Sequence, residues 1–85
     1  MPLVENLAAK LAQDVCESLE ILGDDRFYDK VSKVLIEVSP TMQEAFNTAI
    51  RVILAERKGR AFLEKTIEAK KSGKTAPKAP PDGGH

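Results

Sequence analysis

The chain has 85 residues with one cysteine, one histidine and no tryptophan; 42% are apolar, 31% are charged, and the net charge is zero. That length allows one domain with a thin core, and the apolar content sets the chain apart from intrinsically disordered sequences. One cysteine cannot form an intramolecular disulfide, and Cys16 with His85 cannot build a zinc site.

The opening MPLVENLAAKLAQ has neither the basic start nor the apolar core of a secretion signal. No apolar run reaches the ~18 residues that a membrane span needs. A cytoplasmic location without membrane association is the expectation. The zero balance hides an asymmetry. Residues 1–50 hold nine acids and four bases, a net of −5, and residues 51–85 hold nine bases and four acids, a net of +5. Such polarity suits internal complementarity or an acidic partner for the basic end.

The first predicted element is a helix over 3–22. Val4, Ala8, Leu11, Val15, Ser18 and Leu22 recur at helical spacing, widened by Leu7 and Leu19, while Glu5, Lys10, Gln13, Glu17 and Glu20 take the opposite face. Gly23 is a natural left-handed stop, and Asp24 or Asp25 is expected to cap the next helix. That second helix is predicted over 24–38, with Phe27, Val31, Val34 and Val38 as its stripe and Tyr28 and Leu35 at the flanks. Its β-branched end reads weakly as a strand, but no second strand exists to pair with it.

Ser39 before Pro40 marks the start of a third helix, and Thr41–Glu44 offers a capping box two residues later. The core face is Met42, Ala45, Phe46, Ala49, Ile50 and Ile53, with Leu54 well off it. Continued at 100° per residue, that face meets Glu56, Arg57 and Arg60 before apolar residues resume at Leu63 and Ile67. Gly59 sits inside the interruption. Either the third helix ends there and a short fourth helix folds back, or one helix runs over 40–71. No capping side chain follows Gly59, which favours continuity. Residues 72–85, SGKTAPKAPPDGGH, read as a disordered tail.

The expected fold is therefore all-α: a small antiparallel three-helix bundle over 1–71, with four helices as the alternative, followed by that tail. Arg51, Lys58 and Lys65 are seven apart on one face and Arg57 and Arg60 lie on another, a pattern that phosphate binding could use. Exposed aromatics for base stacking are nearly absent, and Glu56, Glu64 and Glu68 interleave with the bases. A helix-turn-helix reading of IEVSPTMQEAF fails on the missing turn glycine and on Glu44 near the helix start. Lys74–Pro80 fits a basic proline ligand pattern, though such tails match it often by chance.

Catalysis has little support. Asp24 and Asp25 read as cap chemistry, His85 is unpositioned, and Cys16 falls on the helix flank beside Asp14 and Glu17. No cofactor or small-molecule substrate is implied. The expected function is a self-associating interaction or adaptor protein, a homodimer, with Leu54, Phe62, Leu63 and Ile67 as its interface. The alternative is a nucleic-acid-associated regulator using Arg51, Arg57, Lys58, Arg60 and Lys65.

Overall fold

The computed structural model describes residues 2–73. The order is α1 (Pro2–Leu22), α2 (Phe27–Val38) and α3 (Pro40–Ser72), with no strand among the described residues. The protein is all-helical. Gly59 lies inside α3, which runs unbroken, and no fourth helix occurs among the described residues. The tail expected at 72–85 falls outside the described residues except for Ser72 and Gly73; Ser72 is the last residue of α3. No helix among the described residues is long and apolar enough to cross a membrane.

Each helix end follows from a few local residues. Gly23 takes φ 67°, where a Cβ would be strained. The Asp24 N–H donates to the Leu19 carbonyl at 3.3 Å and the Gly23 N–H to that of Glu20 at 3.2 Å, the paired bonds of a Schellman ending. Asp24 or Asp25 was expected to cap a helix over 24–38, but α2 starts at Phe27, preceded by Arg26 with no side-chain cap. The Asp24 carboxylate instead accepts the Arg26 N–H at 3.1 Å and pairs with Lys30 at 3.0 Å, so it fixes the turn before the helix. At α3, the Met42 N–H donates to Ser39 Oγ at 3.1 Å, so Ser39 is the cap formed of the two considered. Gly73, with φ 72°, closes the far end.

The chain divides into two units, Met1–Leu54 and Ala55–His85. The core belongs to the first. Ala8, Ala12, Val15 and Cys16 of α1 are buried with Phe46 and Ile50 of α3. Phe46 is fully buried, as are the small Ala8 and Ala12 in the same cluster. Phe27, Tyr28, Val31 and Leu35 bring α2 onto this cluster. The Gln43 side-chain amide donates to Ser32 Oγ at 3.2 Å and ties α2 to α3.

Several side chains differ from the sequence expectation. Cys16 is in the core rather than on the flank, because α2 and α3 both cover α1 and widen its buried arc beyond one stripe. Leu7 and Leu22, read as core, are exposed. In α2, Val34 and Val38 are exposed while Tyr28 and Leu35 pack inward. The helix is rotated towards its two larger flanking side chains, which bury more apolar area than two valines.

Truncation of Phe46 to Ala is expected to cost about 3–5 kcal/mol. A core this small supplies about that much in total. Phe46→Ala should therefore abolish the cooperative unfolding transition in urea; a variant that keeps it near the wild-type midpoint contradicts the assigned core. The Asp24 carboxyl is held below the ordinary aspartate value of 3.8, first by the Lys30 hydrogen bond and then by the Arg26 N–H. Its contribution to the turn is thus present at neutral pH and lost as pH falls through that lowered value. NMR titration should show the Asp24 midpoint rising in Lys30→Ala; an unchanged midpoint contradicts the pairing.

Candidate functional site

Beyond Leu54, the positions that would continue the core-facing period of α3 carry Arg57, Arg60 and Glu64. In the second unit Leu63 and Ile67 stay in line with Ala45 and Ala49 at one edge of that face, while Ala55, Gly59, Phe62 and Thr66 turn away from it. Ala55, Gly59, Phe62, Leu63, Thr66 and Ile67 span about 140° of the helix circumference, with Glu56 inside that span between Leu63 and Ile67. Phe62, Leu63 and Ile67 remain 38%, 51% and 45% exposed. The Thr66 hydroxyl donates to the Phe62 carbonyl at 2.8 Å, so it is satisfied within the helix. Ala69, at the edge of the arc, is buried.

Gly59 needs no glycine for its backbone, since only Gly23 and Gly73 take positive φ among the described residues. A Cβ there would meet nothing within 4 Å. The interruption that the sequence shows at AERKGRAF is therefore a solvated stretch of one helix.

The other proposed interface residue, Leu54, is placed differently. Read from the sequence as lying off the core face, it is partly buried and packs on the core cluster of the first unit. Phe62, Leu63 and Ile67 do fall together on one arc.

The five bases considered for nucleic acid do not form one patch. Arg51 lies in the first unit, lining a polar notch of about 280 Å³ with Asn47, Arg26 and Asp29. Arg26 Nε in that notch already donates to Asp29 Oδ2 at 3.0 Å. Arg57, Lys58, Arg60 and Lys65 are exposed in the second unit. Arg60 Nε donates to Glu56 Oε2 at 2.7 Å, and this hydrogen bond holds its proton more tightly than usual. Only Lys58 and Lys65, seven apart, flank the same side of the apolar arc.

The first unit holds a groove that sequence reasoning missed. Between the start of α1 and the start of α3 lies an open cavity of about 550 Å³. Val4, Ala45 and Ala49 are its apolar lining, with Thr41 and Thr48 among them. Glu5 and Glu44 line it as well. The signal that could have pointed to it is the run of small residues at Thr41, Ala45, Thr48 and Ala49. It places one hollow strip along the start of α3.

No three of His, Cys, Asp and Glu converge to hold a metal ion among the described residues. The chain matches no known family model, no curated protein and no solved structure.

Because Gly59 sits in an unbroken helix with open space around it in the single chain, Gly59→Ala should strengthen that helix by up to ~1 kcal/mol, roughly a fivefold slowing of amide exchange over 55–63 at a dilution where the chain is monomeric. Lower helicity by circular dichroism would mean that the residue serves a bend instead.

Proposed function

We propose that this protein is a small interaction or adaptor protein that self-associates through helical surface and carries out no catalytic step. The supporting observation is the exposure of Phe62, Leu63 and Ile67 along one arc of α3. Contiguous exposed apolar surface on a small chain commonly marks an interface. The reading assigns the work to residues 1–71, arranged as a small antiparallel three-helix bundle, in the cytoplasm and without a cofactor.

Magnitudes limit what these three side chains can do. Each is already partly covered, so burying the remainder is worth roughly 1–1.5 kcal/mol. Six of them in a symmetric pair give about 6–9 kcal/mol gross, against an association cost of ~4–15 kcal/mol. Self-association on this arc alone is expected to be weak, with a Kd of roughly a few tenths of a millimolar at best. Tighter binding requires further surface.

The nucleic-acid reading draws on the same unit, where six bases outnumber three acids over residues 55–73. It is the weaker proposal, because Arg60 is engaged by Glu56 and Arg51 lies in the other unit.

Light scattering over a concentration series separates the two. The wild type should rise above the 9.3 kDa monomer mass with concentration, and Phe62→Asp should stay at it. Moderate salt should change the wild-type mass little, because apolar packing is hardly screened. A monomer at every concentration rules out self-association. Nucleic-acid binding that falls steeply with salt would then favour the alternative.

A further inference from the structure

We propose that the apolar arc of residues 55–67 docks into the groove between α1 and α3 of a second copy of this chain, reciprocally, so that two copies bury two identical contacts. This deepens the self-association proposed above and rests on it.

Charge complementarity favours this pairing. The groove is lined by Glu5 and Glu44. The arc is flanked by Lys58 and Lys65. Over the described residues, 2–54 carry nine acids and five bases, and 55–73 carry three acids and six bases. Each copy thus presents both halves of a complementary pair, which is what a reciprocal two-fold contact requires.

Packing arcs against each other instead brings like charges together. With Gly59 and Phe62 on the seam, antiparallel arcs place Lys58 beside Lys65 of the second copy. Parallel arcs place Lys65 beside Lys70 of the second copy.

Shape agrees with charge. Ala55, Gly59, Phe62 and Thr66 step by four, three and four. Ala45 and Thr48 of the groove are three apart, so the two sets share one heptad spacing. With the helices antiparallel, Phe62 lies over Ala45 of the second copy, whose small side chain leaves room for the ring. Gly59 then faces Thr48 of the second copy, and its missing Cβ permits a close approach. This gives the glycine a use that the single chain does not. Leu63 lies towards the Thr41 end of the groove and Glu56, already paired with Arg60, lies towards Ala49, the helix-in-groove mode of recognition.

The same register fixes the flanking charges. Lys65 meets Glu44 of the second copy, an attractive pair. Lys58 meets Arg51 of the second copy, a repulsive one. The two lysines lie on one side of one helix, yet their reversal should have opposite effects.

The experiment is sedimentation equilibrium on the full chain at low salt, comparing wild type with the exposed-surface variants Glu44→Lys, Lys65→Glu, Lys58→Glu and the double variant Glu44→Lys/Lys65→Glu. Circular dichroism checks that each keeps its helices. Glu44→Lys and Lys65→Glu should each weaken the dimer about 5- to 10-fold, and the double variant should recover most of the loss. Lys58→Glu should tighten it. If Lys58→Glu and Lys65→Glu both tighten the dimer, arc packs on arc and the groove assignment fails while self-association stands. A dimer that Phe62→Asp dissociates but Glu44→Lys leaves unchanged has the same meaning. A wild type that is monomeric throughout overturns both proposals.

Discussion

Phe46 against Ala8 and Ala12 is the contact on which the rest depends. Its ring is the largest fully buried side chain, in one cluster with those two alanines, Val15, Cys16 and Ile50. With so few large side chains buried, nothing else in the first unit can replace that contact. α2 adds half-buried residues only, Phe27, Tyr28, Val31 and Leu35 among them, so its place is secured by the turns at both ends as well as by packing. Asp24 with Lys30 holds one turn and Ser39 holds the other.

The second constraint is the charge that α3 carries along what would be its core face. Arg57, Arg60 and Glu64 occupy those positions after Leu54. Burying them would leave ionised groups in an apolar setting, which costs far more than the apolar residues nearby could return. The helix continues because its local chemistry favours it: Glu56 supports Arg60 four residues on, and no proline follows Pro40 within it. Its apolar residues then overlap only one edge of that face, and Phe62, Leu63 and Ile67 stay exposed. The functional proposal grows from that mismatch between a favourable helix and an unburied face.

What the sequence revealed and what it concealed divide along a physical line. Helix ends were legible at Gly23 and at Ser39–Pro40, because single residues with special φ or a capping oxygen decide them. Continuity through Gly59 was legible from the absence of a new cap. Rotation of a helix about its axis was not. Val34 and Val38 have the right spacing, but Tyr28 and Leu35 face the core, and only the positions of α1 and α3 determine that. Cys16 is buried for a similar reason, since two helices cover α1. Leu54 packs against the core cluster from a flank that the period alone leaves open. The exposed trio of Phe62, Leu63 and Ile67 was legible as an excess of apolar residues after the core stripe had ended. The groove of Val4, Ala45 and Ala49 was not, since it exists only where two helix starts meet.

The central claim is that the apolar arc of α3 is open in a single chain and covered when copies meet. Hydrogen–deuterium exchange read as a function of protein concentration tests this most directly. The account predicts that, as concentration rises, protection grows over residues 55–67 and over 41–49, while the turn at Gly23 stays unchanged. Exchange over 55–67 that does not depend on concentration would contradict it.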